Sequence, residues 1–342
     1  MKNLTKNILN NKTYIVAEIS SNHNGSIKLA KKLISDAKVS GADCVKFQLF
    51  DADKTVINKN LTIKLGSKRV SQIDILKKNQ LSFKNIKTLY NFSKKIKIDF
   101  AVTATENEHV DFLNKMNLPF IKIASADIIN HELIKYCIKK IKNKFLIIST
   151  GMANFDEIDK VVKLLKKKNF KNFILLHCVS LYPTKINDVN LQRIEKLQKR
   201  YKCKIGYSDH TKSISAAISS TFFGSIFLEK HFCDNKIKGV DNDFSSDKFD
   251  FKKMIGIIRE NDIIMRSNFN KKISKEIKVI KQFRKGVYLN TKIRKMQKIK
   301  LGDLKFARPF NGFKIENIQK LIGKKAKKKL DVNSNLRFKD FY

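Results

Sequence analysis

The sequence predicts an α/β fold, a (β/α)8 TIM barrel followed by a small C-terminal α+β domain. Three observations lead to this prediction. Short apolar segments recur between residues 14 and 232, amphipathic segments separate them, and the pattern changes after residue 285. A chain of 342 residues with 42% hydrophobic residues can form a barrel of about 250 residues and one further small domain. A doubly wound parallel sheet is the alternative fold.

The candidate strands are mostly continuous apolar runs rather than alternating ones. This pattern is expected when both faces of a parallel strand are buried. Together with the helical segments between them, they make eight β–α units before residue 270, which favours the barrel. The candidate strands are residues 14–19, 44–49, 98–104, 120–125, 145–150, 173–178, 204–208 and 225–232.

The segments between the strands predict helices and one insertion. Residues 29–37 and 158–165 place apolar side chains on one helix face, and Asn154 can cap the second of these helices. Residues 51–80 are too long for a simple loop and are predicted to be an insertion at the active site. Residues 249–268 are predicted to form the last barrel helix.

The predicted domains are a catalytic barrel (1–270), a lysine-rich linker (271–285) and the small domain (286–342). In the small domain, residues 286–289 are typical of a strand, 301–304 of a turn and 315–322 of a short helix. A domain of this size is expected to be marginal unless it docks against something else.

The net charge is +41, but only nine of the 72 basic residues are arginine, and lysines occur along the whole chain. Nucleic-acid-binding proteins usually concentrate their charge and use arginine for bidentate contacts. The composition therefore argues against a nucleic-acid partner and indicates attraction for anionic substrates.

The five cysteines are widely spaced and contain no CxxC motif, which argues against a disulfide framework and a zinc ribbon. The first residues lack the apolar core of a signal peptide, and no apolar run approaches about 18 residues. The sequence therefore predicts a cytoplasmic protein that does not insert into a membrane.

Ionisable side chains stand at the C-terminal ends of the candidate strands, where barrel enzymes carry their active sites. Glu18 ends the first strand and is a candidate acid or base, with a salt bridge to Lys46 or Lys122 as the alternative. Both lysines lie inside apolar strands, which favours a role in binding phosphate or carboxylate over a surface role.

Two histidines close neighbouring strands, His210 after the seventh and His231 at the end of the eighth. Their matched positions allow both imidazoles to converge on one divalent ion and leave sites open for substrate. Two ordinary rim histidines are the alternative. Histidine ligands without a thiolate suit Mn, Mg, Fe or Zn.

Seven motifs in this order resemble the sialic acid synthase family, and the resemblance covers nearly the whole chain. The segment after residue 286, with Arg308-Pro309-Phe310-Asn311-Gly312, is similar to the antifreeze-like (SAF) domain of that family. The motifs lie at residues 17–25, 45–48, 122–125, 149–152, 176–184, 206–211 and 228–232.

The resemblance implies a C–C bond-forming transferase that condenses phosphoenolpyruvate with the open-chain aldehyde of an amino sugar and releases phosphate. The first hypothesis is an N-acetylneuraminate synthase that uses N-acetylmannosamine. A legionaminate or pseudaminate synthase acting on a modified 2-acetamido hexose is the alternative, and a non-catalytic barrel that binds ligands is the remote one.

The resemblance also implies residue roles. A divalent metal, Mn²⁺ first and Mg²⁺ among the alternatives, would be held by His210 and His231 and would polarise the aldehyde. Glu18 matches the acid that assists the chemistry, and Glu229 is expected to support the site. Positions around phosphoenolpyruvate are matched by Lys46, Thr103, Lys122, Ser125 and Ser208, and positions around the sugar by Tyr182, Asp241 and Arg308.

The family resemblance further implies a domain-swapped homodimer in which Arg308 reaches the sugar bound by the partner. Phe310 replaces a glycine that is common in this loop, and a phenylalanine does not readily adopt positive φ. The segment Ser125-Ala126-Asp127 also departs from the usual Ser-Gly-Glu, and the usual proline after Thr103 is absent. These departures leave the phosphoenolpyruvate and metal motifs intact and direct attention to a different acceptor sugar.

Overall fold

The computed structural model describes residues 2–65, 68–265, 274–311 and 313–342. The chain divides into two compact units, Met1–Ser267 and Asn268–Tyr342. The strands of the first unit, in chain order, are β1 Tyr14–Glu18, β2 Cys44–Leu49, β3 Thr62–Leu65, β4 Lys68–Ser71, β5 Asp99–Ala104, β6 Phe120–Ile123, β7 Phe145–Ser149, β8 Phe173–Cys178, β9 Lys204–Asp209 and β10 Phe227–His231.

Among the described residues, eight of these strands form one closed parallel barrel in the order β1-β10-β9-β8-β7-β6-β5-β2. Strand β1 pairs in parallel with both β10 and β2, which closes the sheet. The predicted barrel is therefore confirmed with its eight strands. The alternative of a doubly wound sheet is wrong, because such a sheet is open at its edges.

Helices cover the outside of the barrel. The capping box predicted around Asn154 is present: its side chain accepts from the Glu157 amide, and the Glu157 carboxylate accepts in return. No helix in the described ranges is long and apolar enough to span a bilayer. The helices of this unit are α1 Lys2–Leu9, α2 Ile27–Val39, α3 Ala52–Thr55, α4 Gln72–Asn79, α5 Phe83–Lys95, α6 Asn107–Asn114, α7 His131–Lys140, α8 Phe155–Lys167, α9 Gln192–Tyr201, α10 Ser215–Phe222 and α11 Lys248–Met265.

Two of these elements correspond to further predictions. The last barrel helix, predicted at 249–268, is α11, and residues 266–268 lie outside the described residues. The segment predicted as an insertion carries α3, the antiparallel β3–β4 pair and α4, and residues 66–67 lie outside the described residues.

The barrel strands are buried on both faces, which explains their continuous apolar sequence. Outward-facing side chains such as Ile15 and Val45 pack in the core between strands and helices. Inward-facing side chains form a separate core, in which Tyr14 stacks on Phe227 with ring centroids 5.7 Å apart. Leu4 of α1 belongs to this inner core and closes the barrel at its N-terminal end.

Along each strand the inward-facing side chains change from apolar to polar. In β1 they are Tyr14, Val16 and Glu18, and Lys46 occupies the equivalent level of β2. The period of two along a strand makes this possible without exposing an apolar face. A polar layer therefore lies above an apolar one, at the C-terminal end of the barrel.

A group of charged residues joins the last helix to the start of the barrel. Arg259 of α11 donates to the Thr13 carbonyl at 2.6 Å, to Asp43 at 2.6 Å and to Asp262 at 3.0 Å. Asp262 accepts from the amide and the hydroxyl of Thr13 in turn. These contacts hold α11 against the N-terminal ends of β1 and β2.

The second unit has its own small apolar core, which includes Val287, Leu289 and Leu321. The strand predicted at 286–289 is present as β11 Gly286–Leu289, and it pairs antiparallel with β12 Leu304–Ala307. The predicted turn and short helix are 3₁₀ turns at Leu301–Asp303 and Ile315–Lys320. The range predicted as a linker contains helix α12 Ser274–Phe283, and residues 271–273 lie outside the described residues.

Candidate active site

Lys46 lies at the centre of the polar layer. Its Nζ is 2.5 Å from Glu18 Oε2 and 3.7 Å from Glu229 Oε2, and it donates to Thr103 Oγ1 at 2.8 Å. Burial alone would lower the pKa of Lys46, but Glu18 and Glu229 outweigh it and raise that pKa. Lys46 is therefore a buried cation held by two carboxylates.

Glu229 links this cation to the second predicted lysine. Its Oε1 lies 3.2 Å from Lys122 Nζ and accepts from Ser208 Oγ at 3.1 Å. Burial would raise the pKa of Glu229, but Lys122 and Lys46 lower it to about 2. The Glu229 carboxylate is thus ionised at neutral pH and joins both lysines in one network.

Lys122 differs from Lys46 in its surroundings. Burial lowers the pKa of Lys122, and attraction to Glu229 offsets this only in part. Its Nζ makes one hydrogen bond within the described part of the chain, to Glu229, so two of its three N–H donors remain for a ligand. Of the two buried lysines, Lys122 is therefore the one better able to donate hydrogen bonds to a bound anion.

Glu18 forms the salt bridge with Lys46 that the sequence analysis gave as the alternative to an acid–base role. It also accepts from Gln48 Nε2 at 3.1 Å, and Gln48 donates to Ser20 Oγ at the same distance. These partners fix the carboxylate in one orientation at the end of β1. A carboxylate held in one orientation is suited to proton transfer, so the salt bridge with Lys46 is compatible with an acid–base role of Glu18.

A cradle of small polar groups lies at the ends of β6, β7 and β8. Ser125 Oγ accepts from the Gly151 amide at 3.1 Å, and a Cβ at Gly151 would lie 2.7 Å from that oxygen. Ser180 Oγ also borders the space such a Cβ would fill, and in the described residues it is buried with no hydrogen-bond partner. Both hydroxyls therefore pack against Gly151 where any side chain would clash, and the Ser180 hydroxyl, which has no partner in the described residues, remains for a ligand.

The two predicted metal ligands are neighbours, with ring centroids 5.4 Å apart. Nδ1 of His210 lies 2.8 Å from the Val179 carbonyl, which assigns the ring proton to Nδ1 and leaves the Nε2 lone pair for a ligand. Cys178 Sγ lies 3.8 Å from the same nitrogen. A backbone carbonyl of this kind is a usual outer partner of a metal-binding histidine.

Asp241 lies beside His231 as the Val179 carbonyl lies beside His210: its Oδ2 is 3.5 Å from His231 Nδ1. The Ser21 amide donates to Asp241 at 3.2 Å, and Asn22 accepts from the Asp241 amide at 3.1 Å. Asn22 also donates to the Phe232 carbonyl, so the loop after β1 holds the loop after β10.

The histidines therefore fit a divalent ion whose remaining ligands come from substrate or water. In the described residues, no three His, Cys, Asp or Glu side chains come together as a metal-binding group. Tyr182 covers this pair: its ring centroid is 4.2 Å from that of His210 and 5.1 Å from that of Phe244.

The structure places all the predicted site residues of the barrel at its C-terminal end, in a lysine–glutamate group and a histidine group that the pairing of Glu18 with His231 across β1 and β10 brings side by side. Arg308 belongs to the second unit, where it is exposed and its guanidinium carbon lies 5.4 Å from the centroid of the Phe283 ring. Phe310 is not among the described non-glycine residues with positive φ, and its amide donates to the Lys281 carbonyl at 2.8 Å. The substitution of the common glycine is thus compatible with the observed backbone.

Two contributors were missed in the sequence analysis. Ser180 lies in the middle of the 176–184 motif, between its two quoted parts, and its place beside Gly151 depends on how two loops meet. Asn22 lies inside a motif, but its partners Phe232 and Asp241 are more than 200 residues away. The position of Asn22 inside the 17–25 motif could have indicated a role in the site. For Ser180, the corresponding indication is that it lies two residues after Cys178, at the end of a barrel strand.

Comparison with known proteins places this geometry in a family. The NeuB family model matches residues 33–269, more than half of the chain. The chain belongs to the NeuB family. As a member of this family, it is an enzyme, a phosphoenolpyruvate-dependent synthase that forms a carbon–carbon bond, and the prediction of an enzyme is confirmed.

Named relatives in this family differ in the sugar acid they make. The chain is 36% identical over 333 residues to the N,N'-diacetyllegionaminic acid synthase of Campylobacter jejuni, covering 95% of this chain and 99% of the relative. It is 30% identical over 346 residues to the pseudaminic acid synthase of the same species, covering 96% and 97%. The solved N-acetylneuraminic acid synthetase of Leptospira borgpetersenii, in complex with citrate, is 30% identical with a TM-score of 0.72, covering 79% of this chain and 91% of that one.

Proposed function

We propose that this NeuB-family enzyme condenses phosphoenolpyruvate with the aldehyde form of a 2-acetamido hexose to make a nonulosonic acid and phosphate. The observation that carries the proposal is the buried set of Lys46, Lys122 and Glu229 beside the His210–His231 pair. The two lysines provide a site for an anion, and the two histidines provide a site for a carbonyl oxygen, at the same end of the barrel. Membership of the NeuB family supports the same chemistry.

Phosphoenolpyruvate is assigned to the lysine side of the site. Lys122 has free N–H donors, and Lys46, Thr103 and Ser208 lie in the same network. Charge-assisted contacts of this type bind phosphate and carboxylate groups strongly. Ser125, oriented by the Gly151 amide that donates to it, offers a hydroxyl for an oxyanion at the adjacent strand ends.

The reaction forms one carbon–carbon bond between the two substrates and one carbon–oxygen bond from water, and it breaks the carbon–oxygen bond to the phosphate. The methylene carbon of phosphoenolpyruvate attacks the aldehyde carbon, and the aldehyde oxygen gains a proton. Water adds to the carbon that carries the phosphate ester, and phosphate leaves from that carbon. The sum is phosphoenolpyruvate, sugar and water giving the nonulosonic acid and inorganic phosphate.

Glu18 is assigned the proton transfers. Its carboxylate is oriented by Lys46 and Gln48 and is paired across the β1–β10 register with His231. A positioned carboxyl group can give a proton to the aldehyde oxygen or take one from the attacking water. Both reacting atoms would lie between this group and the histidines.

His210 and His231 would hold a divalent ion, with Mn²⁺ as the first candidate. When bound, such an ion supplies Lewis-acid polarisation of the aldehyde oxygen. The chain's own contribution is the orientation of the two imidazoles by Val179 and Asp241. Tyr182 and Asp241 lie beside the histidines and are assigned to the sugar.

The acceptor sugar is proposed as N-acetylmannosamine, with the precursors of legionaminic or pseudaminic acid as the alternatives. The 36% identity to a legionaminic acid synthase supports the second reading as well as the sialic acid synthetase supports the first. The second unit is proposed to be an SAF domain of a swapped homodimer, in which Arg308 contacts the partner's sugar.

A panel of 2-acetamido hexoses tests this function. Each sugar is incubated with phosphoenolpyruvate and Mn²⁺, and phosphate release and product mass are measured. One sugar should give phosphate and a product heavier by the pyruvate unit, and the His231→Ala variant should give neither. Phosphate release that does not depend on any sugar would overturn the proposal.

A further inference from the structure

Behind the two histidines lies a buried ion pair that takes no part in the reaction proposed above. Lys230 Nζ is 2.8 Å from Asp209 Oδ2, and both side chains are fully buried. The two residues are direct neighbours across β9 and β10. Because Ser208 and Glu229 point into the barrel, Asp209 and Lys230 point outward, toward the helices.

The pair closes the turn that carries His210. Asp209 Oδ1 accepts from the Thr211 amide at 2.9 Å and from the Tyr207 hydroxyl at 3.1 Å. Lys230 Nζ donates to the Thr211 carbonyl at 2.8 Å. Both polar groups of the Thr211 backbone are therefore bound by the pair, one residue beyond His210.

Burying two charges is costly, and apolar side chains of similar volume would fill the same space at no such cost. Stability alone therefore does not account for a fully buried pair at this position. The pair provides a contact of defined direction between two strands. Asp209 precedes His210 and Lys230 precedes His231, so this contact joins the two strands at the point where each reaches its histidine.

We propose that Asp209 and Lys230 are positioning residues that set the separation of the His210 and His231 imidazoles. The ion pair fixes the register of β9 against β10, and its bonds to Thr211 fix the path of the chain through His210. The consequence for metal affinity rests on the proposed function, whereas the consequence for turnover follows for any reaction at this rim.

The test compares Lys230→Met with Arg259→Met in the full chain. Arg259→Met disrupts the charged group at the opposite end of the barrel, so it serves as a control for lost stability. Three quantities are measured: Mn²⁺ binding from the electron paramagnetic resonance signal of the free ion, kcat and KM for phosphoenolpyruvate, and the thermal midpoint.

We expect Lys230→Met to weaken Mn²⁺ binding by about tenfold, the lower end of the effect of removing a direct outer partner, because Lys230 acts on His210 through Asp209 and Thr211. Its kcat should fall in parallel, while KM for phosphoenolpyruvate changes little. Arg259→Met should lower the thermal midpoint and leave metal affinity and kcat unchanged. Lys230→Arg should recover part of the lost affinity because it restores a cation opposite Asp209.

Equal behaviour of Lys230→Met and Arg259→Met would overturn the proposal and make the pair a purely structural contact. If Lys230→Met fails to fold, the double variant Asp209→Asn/Lys230→Met removes both charges and leaves neither one buried without a partner, and an unchanged kcat and Mn²⁺ affinity in that variant would also overturn the proposal. If the wild-type enzyme binds no Mn²⁺, the metal assignment fails, and kcat of the same variants still decides whether the pair positions the rim.

Discussion

Glu18 and His231 are direct partners across the β1–β10 pairing of the barrel. Neighbouring parallel strands lie about 4.8 Å apart, so a carboxylate and an imidazole meet at the same level of the mouth. Lys46 occupies that level on the other side of Glu18. An acid or base, an anion-binding cation and a candidate metal ligand thus stand on three consecutive strands.

The first prediction concerns Glu18. Glu18→Gln keeps the shape of the side chain and an oxygen for Lys46, but it removes the proton-transferring carboxyl group. We expect kcat to fall by about 10²- to 10⁴-fold, with a smaller change in KM for phosphoenolpyruvate. Steady-state kinetics with circular dichroism as a folding control would measure this. A kcat close to wild type would leave Glu18 as a salt-bridge partner of Lys46 only.

The second prediction concerns the anion site. Lys122→Met removes the ammonium group that has free donors, and it should raise KM for phosphoenolpyruvate by about tenfold or more, because a charge-assisted contact is lost. The sugar KM should change much less. Lys166→Met, on the exposed end of α8, is the matched control and should change neither constant. Equal KM values in both variants would make Lys122 an ordinary buried lysine.

The third prediction concerns the metal. EDTA should abolish turnover and Mn²⁺ should restore it, because the aldehyde loses its Lewis acid. His210→Ala and His231→Ala should remain folded, lose Mn²⁺ binding and lose activity by orders of magnitude. His131→Ala, at the start of α7, is the histidine control. Full activity of the wild-type enzyme after verified removal of metal would contradict the assignment.

The fourth prediction concerns Arg308. Arg308→Ala should raise the sugar KM and leave phosphoenolpyruvate binding nearly unchanged, while Arg337→Ala, in the same unit, should change neither. In a swapped heterodimer with His231→Ala subunits, the intact barrel receives its arginine from the partner, so subunit exchange should restore about half of wild-type activity per heterodimer. No recovery after verified exchange would mean that Arg308 does not act across subunits.

The fifth prediction concerns pH. Burial lowers the pKa of His23 from 6.5 to about 4, and its Nδ1 accepts from the Gly25 amide. Between these values the unfolded chain binds more protons, so folding stability falls as pH decreases. Denaturant unfolding at pH 7 and pH 5 should differ by about 2 kcal/mol from this histidine. His23→Gln should show a correspondingly smaller difference, and an unchanged difference would contradict the prediction.

The barrel was predictable because its signals are local. Eight apolar runs, each buried on both faces, and capping residues such as Asn154 stand in the sequence without reference to distant partners. The site residues at the strand ends were predictable for a related reason: the fold places every C-terminal strand end at one rim, so Glu18, Lys46 and His231 had to approach one another.

The remaining features depend on contacts that sequence patterns do not carry. Whether Glu229 would bind Lys46, Lys122 or both depends on side-chain reach across the barrel. The Asp209–Lys230 pair lies within two recognised motifs, but the outward direction of its side chains follows only from the alternation in β9 and β10. The helix within the predicted linker is rich in lysine, and this composition concealed an apolar periodicity, carried by Ile277, Ile280 and Phe283, that is as regular as in several barrel helices.

In the described part of the chain, the apolar inner core beneath the polar layer leaves the barrel interior accessible from its C-terminal end and closed at its N-terminal end. Leu4, Tyr14 and Phe227 fill the N-terminal end, so no molecule can pass through. The lysines lie deeper than Tyr182, which is half-exposed at the mouth. On the proposed assignments, a sugar seated under Tyr182 would block the route to the lysines. We therefore expect phosphoenolpyruvate to bind before the sugar, and the sugar acid to leave before the next phosphoenolpyruvate can bind.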